Sequence, residues 1–416
     1  MNDAELCQKM LDLPAPWKVV RVEVSHPNKR MDIWLEHGSS QSFNCPKCTA
    51  KSSIHDHAPE RVWRHLDAFE FQTFLHARLP RIKCEKHDVK TVQAPWASPG
   101  GRFTIQMECK IIETLNEVKT IKGAGRLLGL SWDRIFTVIK QAVARGEERR
   151  GPLNLRYIGV DEKAFKKGQS YFTVVADLDK DHVVYMAPGR TKESLGSFYE
   201  SLERSVLEGI QGIAMDMWQA YETATVEHVP DASGKIVYDR FHCMQMLMRS
   251  LDDVRRDESL SLAKEKDFRL KHSRYALCKN PENLTDKQQI KLDELVDCGL
   301  RTSKAWAMKE FMRSFWTQPN AKEGNAVLRC FSHAVESMKI RPMQKVAKAF
   351  MRRRNQMLNW FRHQITTGKV ESLNGKIMEI KRRAKGHRNY ENLTTAVMFF
   401  LGGLDIWPRP VLVTTH

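Results

Sequence analysis

The sequence predicts a multidomain α+β protein, and three observations predict it. The first hundred residues hold a Cys-x-x-Cys and a Cys-x-x-His separated by strand-like segments. Residues 101–150 then turn helical, with one break at a glycine. From Tyr157 onward, three strands, a helix and two more strands lead into a long basic helical stretch and a final helix. The expected divisions are residues 1–100, 101–150, 151–242, 243–355, 356–405 and a tail at 406–416.

The first segment is read as a zinc-ribbon-like module. Cys45-Pro-Lys-Cys48 and Cys84-Glu-Lys-His87 are two knuckles, each presenting two ligands on one side of a tight turn, as a tetrahedral structural zinc requires. All four positions are filled, so one Zn²⁺ here would be structural rather than catalytic. Phe69–Leu79 reads as a strand in a long hairpin insertion, and His55, His57, His65 and His76 in the same spacer are alternative ligands. No βαβ pattern surrounds the Cys-x-x-Cys, which argues against a redox pair. Of the nine cysteines, Cys109, Cys243, Cys278, Cys298 and Cys330 stand singly and read as small core residues, while Cys7 is alone near the start.

The second segment reads as a helix-turn-helix. Ile121–Leu128 forms one helix, Gly129–Leu130 the turn, and Ser131 caps a second helix running to about Ala144. Ala124 and Gly125 allow close approach, and Ile135 and Val138 pack back. Trp132, Asp133, Arg134, Thr137 and Lys140 then face outward, where they could meet a DNA groove or backbone. A plain helical hairpin is the alternative. Ala144–Asn154, charged and ending near Gly-Pro, reads as a linker.

The third segment raises a question of charge. Strands are expected at Tyr157–Lys163 and Tyr171–Leu178, joined by the basic turn Phe165–Gln169, and at His182–Ala187. A helix follows over about Lys192–Leu207, then strands ending at Asp216 and Asp239 before a helix opens. That order is the one of an RNase H-like α/β fold, whose first and fourth strands are neighbours. Asp161 and Asp216 would then meet at one edge, and two carboxylates that close repel unless a cation lies between them. Paired Mg²⁺ (or Mn²⁺) ions are the usual reason for such a pair in phosphodiester chemistry. A third carboxylate is sought on a packed helix. Glu371, in the first turn of a helix from about Val370 to Arg383, is the candidate, with Asn374, expected to meet DNA, a turn further on the same face. Glu371 could equally be an acid complementing the helix dipole, and Glu379 reads as a surface partner for lysines. Lys376, Lys381, Arg382, Arg383, Lys385 and Arg388 surround it with charge suited to phosphate. Asp239 is a second candidate for the middle acid, and His242 either positions DNA or caps a helix.

The quoted segments "IGVDE", "AMDMW..Y", "YDRFH" and "KVESLNGKIMEIKRRAKGHRN" resemble the DDE transposases of bacterial insertion sequences, specifically the ISL-three family. The resemblance spans nearly the whole chain. It implies a zinc finger, a helix-turn-helix and a catalytic domain interrupted by an all-helical insertion, with Asp161, Asp216 and Glu371 as the triad. The family's fingers often end in a second Cys-x-x-C, where this chain has His87. The resemblance also implies DNA partners, namely the element's terminal inverted repeats and target DNA, and a homodimer or higher synaptic assembly acting at the nucleoid. Within the helical stretch, His272–Asn280 and Met351–Asn355 are basic with interleaved aromatics or neighbours able to hold DNA, or are solvated helix faces.

Composition agrees with a nucleic-acid partner. The chain of 416 residues carries a net charge of +17 with 42% apolar residues, so a sizeable core and a polyanionic partner are both expected, although a merely basic surface would give the same sum. Met1–Trp17 lacks the pattern of a signal peptide and Ala396–Leu401 is far short of a membrane span, so a cytosolic protein without a membrane partner is expected. Two rivals remain at this stage: a transposase-derived regulator that binds without cutting, and an RNase H-like junction nuclease.

Overall fold

A computed structural model of the protein describes residues 2–39, 41–164, 170–384 and 389–409. These residues form two compact units. Of the described residues, one unit holds those up to Arg150, those of Ile380–Phe400 and Leu404–Arg409; the other holds those of Gly151–Glu379 and Leu401–Gly403. The expected segment 356–405 is therefore divided between the units at Ile380.

In the first unit, after α1 (Asp3–Leu11), the strands are β1 (Trp17–Ser25), β2 (Arg30–His37), β3 (Ser42–Asn44), β4 (Lys51–His57), β5 (Arg61–Arg64), β6 (Gln72–Ala77), β7 (Pro80–Cys84) and β8 (Asp88–Thr91). They make two four-stranded sheets, ordered β1-β2-β6-β5 and β3-β4-β7-β8. The spacer between the knuckles is thus more than a hairpin: it crosses from one sheet to the other and back. The strand expected at Phe69–Leu79 starts only at Gln72, because Phe69 is a left-handed turn residue (φ 56°) and 94% exposed. Indole packing holds this unit's core, with Trp96 edge-on to both Trp17 (4.9 Å) and Trp63 (5.4 Å) above buried Ile33, Leu75 and Ile82.

Three helices follow: α2 (Ile105–Val118), α3 (Ile121–Leu128) and α4 (Trp132–Arg149). Thr120 and Ser131 cap α3 and α4, and Gly129 supplies the positive φ of the turn at 62°. A Cβ on Gly125 would lie 2.7 Å from the Leu130 carbonyl oxygen, so only glycine allows that approach. Helix α4 runs through Arg149, past its expected end, and shortens the expected linker. The cause lies in Leu404 and Ile406. Arg145 pairs with buried Glu108 (2.6 Å) and donates to the Ile406 carbonyl (2.7 Å), while Leu404 seats against Gly146.

The second unit is built on a five-stranded sheet of β9 (Tyr157–Ala164), β10 (Tyr171–Asp177), β11 (His182–Pro188), β12 (Gly212–Met215) and β13 (Ile236–Tyr238), ordered β11-β10-β9-β12-β13. The first three are antiparallel, and β12 runs parallel to both β9 and β13. Continuous apolar runs bury β9, β10 and β12 on both faces. The expected turn Phe165–Gln169 lies outside the described residues. The helix expected over Lys192–Leu207 is two, α5 (Lys192–Glu200) and α6 (Arg204–Gly209), with the break at Ser201–Glu203. Beyond α7 (Gln219–His228) come α8 (Arg240–Lys264), α9 (Arg301–Arg313), α10 (Ala321–Ser337) and α11 (Arg341–Arg352), packed through Leu251, Met312, Phe331 and Phe350. Helix α12 (Gly368–Arg383) belongs to this unit up to Glu379, and α13 (Tyr390–Leu401) belongs to the first unit up to Phe400.

Of the five single cysteines expected in the core, only Cys243 is buried, and Cys330 is exposed on α10. Among the described residues, no helix is long and apolar enough to cross a membrane.

Candidate functional site

Two clusters of metal-ligating side chains stand out among the described residues, one in each unit.

The first follows from two hairpins. At the turn from β3 to β4, Cys45 N–H donates to the Ala50 carbonyl and Thr49 takes a positive φ of 58°. At the turn from β7 to β8, Cys84 pairs with Asp88, which also has φ 58°. Each tight turn presents its two ligands inward. Cys48 and Cys84 sulfurs lie 3.5 Å apart, and His87 Nδ1 lies 3.7 Å from both Cys45 and Cys84 sulfurs. Ligands at Zn–S of about 2.3 Å and Zn–N of about 2.0–2.1 Å around a tetrahedron stand about 3.5–3.8 Å apart, so the donor set fits zinc. A hydrogen bond from the Lys47 backbone, against the effect of burial, brings the Cys45 thiol down to about 6, toward the thiolate a metal needs. The other histidines are engaged elsewhere. His55 sits on Asp56, His57 on His37, and His76 between Asp32 and Glu60. His65 bonds Thr104, and burial takes its pKa down to about 4.

The second cluster is set by the register of the sheet. Ala214 of β12 lies opposite Gly159 of β9. Two residues on, Asp161 lies within β9 and Asp216 directly follows the end of β12, so that their carboxylates come together beside the strand ends. Helix α12 crosses at this point because Gly159 has no side chain: a Cβ there would stand 2.3 Å from Val370 Cγ2. One turn after Val370, Asn374 donates to Asp161 Oδ2 at 2.7 Å, and both residues are buried. The pairs Gly159–Val370 and Asp161–Asn374 therefore fix the helix on the strand.

Ligand oxygens of Asp161, Glu162 and Asp216 lie within 4.8 Å of one another. Burial first, and the charge of Asp216 second, push the Asp161 carboxyl up to about 7. The same two causes raise Glu162, whose Oε2 is buried without a hydrogen bond among the described residues. An acid cluster that resists ionising and keeps an orphaned oxygen fits a divalent cation. His242 Nδ1 contacts Asp216 Oδ1; burial opposes protonation, but that bond and the nearby acids outweigh it and raise the imidazole pKa.

Asp239, the second candidate for the middle acid, has another task. Its Oδ1 accepts from the Phe241 and His242 amides as the N-cap of α8, and its Oδ2 accepts from Thr367 N–H at 2.8 Å. It thereby ties the start of α8 to the start of α12. Glu371 is outside the close carboxylate group. It is exposed in the first turn of α12, three residues before Asn374, and opens on a neighbouring cavity. The helix brings Asn374, not Glu371, to the Asp161 oxygen.

Sequence reasoning passed over Glu162 because strict strand alternation sends it to the face opposite Asp161. Its longer side chain, near the strand's end, brings it back. Of the residues expected to meet DNA, Trp132, Arg134, Thr137 and Lys140 are all exposed on α4. On α12, Lys376 and Arg382 are exposed, Arg383 is exposed in the last turn and Lys381 is half-buried. Lys385 and Arg388 lie outside the described residues. In Met351–Asn355, Arg353 is buried against Glu222 (3.0 Å) and Gln219 (2.9 Å), which makes it structural.

Residues 158–397 match a family of ISL3-type DDE transposases, described as transposase, and residues 41–87 match the zinc-finger of transposases IS204/IS1001/IS1096/IS1165. The chain is similar to the transposase for insertion sequence element IS1001 of Bordetella parapertussis, at 27% identity over 395 residues, covering 93% of this chain and 96% of that one. It is also similar to the transposase for insertion sequence element IS1557 of Mycobacterium tuberculosis, at 29% over 397 residues, covering 89% and 88%.

Proposed function

From the membership of this chain in the ISL3-type DDE transposase family, we propose that it binds the terminal inverted repeats of an insertion element, cuts DNA there and transfers the freed ends to target DNA. The observation that carries the reading is the carboxylates of Asp161 and Asp216 brought together beside the ends of adjacent parallel strands, with α12 locked onto them by Gly159 and Asn374.

In this reading residues 151–242 and 356–405 form an RNase H-like catalytic domain, and 243–355 is its helical insertion. Asp161, Asp216 and Glu371 form the ligand triad, with Glu162 beside it. Two Mg²⁺ (or Mn²⁺) ions, when bound, would supply the Lewis acidity that activates water and stabilises the leaving oxygen. Asn374 orients Asp161 through its 2.7 Å bond, and His242 orients Asp216. Glu371 makes no side-chain hydrogen bond or ion pair among the described residues and stands in the first turn of α12, three residues before Asn374, where it would serve as the third ligand. The protein groups position water, then the 3′-OH it releases, for in-line attack on a phosphodiester, without a covalent enzyme intermediate. Lys376, Lys381, Arg382 and Arg383 suit the phosphates. Helices α3 and α4, with Trp132, Arg134, Thr137 and Lys140 outward, and the zinc ribbon serve sequence-specific binding. Cutting both ends together calls for a homodimer or higher synaptic assembly.

The test is divalent-cation-dependent cleavage of DNA carrying the gene's own flanks, comparing the natural chain with Glu371→Gln and Glu162→Gln. Cleavage at the ends that vanishes with Glu371→Gln and survives Glu162→Gln is expected. The reverse pattern moves the third ligand to Glu162. Specific binding with no cleavage by the natural chain would make the protein a regulator instead.

A further inference from the structure

Beside Glu371 opens a cavity of about 650 Å³, well inside the size range of small-ligand pockets. Met244 and Met248 of α8 line it, as does Phe241, which is 56% exposed. Asn280 and Asn283, both exposed, also line it, and their side-chain amides make no hydrogen bond to the described residues. Arg240 adds a cation with no acidic partner among those residues.

Two methionines, an exposed aromatic ring whose ring contact is T-shaped to His242 (5.5 Å), and two solvent-facing amides, each both donor and acceptor, match the face and the edge of a nucleobase. A free cation at the rim matches its phosphate. Glu371 lines the same cavity, so whatever occupies it adjoins the carboxylate site. We propose that the cavity receives one unpaired base of the DNA end, swung out of the duplex next to the phosphodiester that is cut. The inference rests on the function proposed above and assigns a nucleotide-binding role to Phe241, Asn280 and Asn283, which lie outside the triad. Extrusion costs stacking and pairing, and the pocket offsets that cost.

The experiment uses the full chain with zinc but no other divalent cation, and duplex ends carrying 2-aminopurine at each terminal position in turn. Binding should brighten one position severalfold as it unstacks. Phe241→Ala and the double variant Asn280→Ala/Asn283→Ala should return that signal to the duplex level while specific binding to the repeat persists. With Mg²⁺ added, the same variants should cut paired ends about 5- to 150-fold more slowly, the range expected for one lost base–aromatic stack. Mispairing the same nucleotide should restore most of the rate, which a merely structural defect would not allow. If no position brightens although the natural chain binds ends specifically, or if the brightening survives both variants, the cavity does not hold a base. If the natural chain shows no specific end binding, the proposed function falls and this inference with it.

Discussion

Asp161 concentrates the site's electrostatics in one residue. Its folded-state pKa is raised from 3.8 to about 7 by burial and by Asp216. The folded state therefore holds a proton that the unfolded chain has lost, and without a cation stability falls as pH rises from about 4 to about 7, then levels off. Asp161→Asn removes that penalty. In chelator at pH 8 the variant should unfold at higher denaturant than the natural chain, by roughly 1–3 kcal/mol, and near pH 3.5 the difference should vanish. Divalent cations should stabilise only the natural chain. The carboxylate pair itself was legible in the sequence, because each acid ends an apolar run. The capping task of Asp239 was not, since an N-cap and a metal ligand look alike until Thr367 is seen donating to it.

The crossing of α12 over β9 turns on a glycine. Gly159→Ala places a methyl against Val370, and overpacking of this kind costs about 1–3 kcal/mol. It should also withdraw Asn374 from Asp161. The methyl would also meet Leu178 Cδ2 (2.9 Å), so adding Val370→Ala should recover part of the loss, and a double-mutant cycle read by chemical denaturation should show coupling; independent effects would mean that the contact is not what seats the helix. The helices α3 and α4 and the strands of the second unit were readable from period and caps, being local signals. The pairing of β5 and β6 with β1 and β2 was not, because nothing in the spacer announces which sheet a strand joins. The zinc knuckles make a further case. One Zn²⁺ per chain is expected by metal analysis. Cys84→Ser should abolish it and release the Trp17–Trp96 packing, seen in near-ultraviolet dichroism, whereas His87→Cys should keep the metal.

For the molecule as a whole the governing quantity is charge. A net +17 implies binding that is dominated by counterion release. End-DNA affinity should fall about 10³- to 10⁵-fold between 50 and 200 mM salt if about six to ten phosphates are contacted, and a fluorescence-anisotropy salt series measures it. A flat series would mean that the surplus charge serves something other than a nucleic-acid backbone. Composition pointed toward a polyanionic partner without excluding a merely basic surface. The division of the chain into units could not be read from the sequence, because Leu404–Arg409 belong with α4, a link that no local pattern announces.

That link has a consequence in time. The guanidinium of Arg145 waits on the carbonyl of Ile406, 261 positions later, and Gly146 waits on Leu404. On a ribosome, the unit begun first is therefore finished last, after the whole five-stranded sheet and its carboxylates have emerged. A nascent or truncated chain stopping at Gly402 would carry the candidate carboxylate cluster with the flank of α4 uncovered. Such a chain should be nicked by protease within α4 where the complete chain resists.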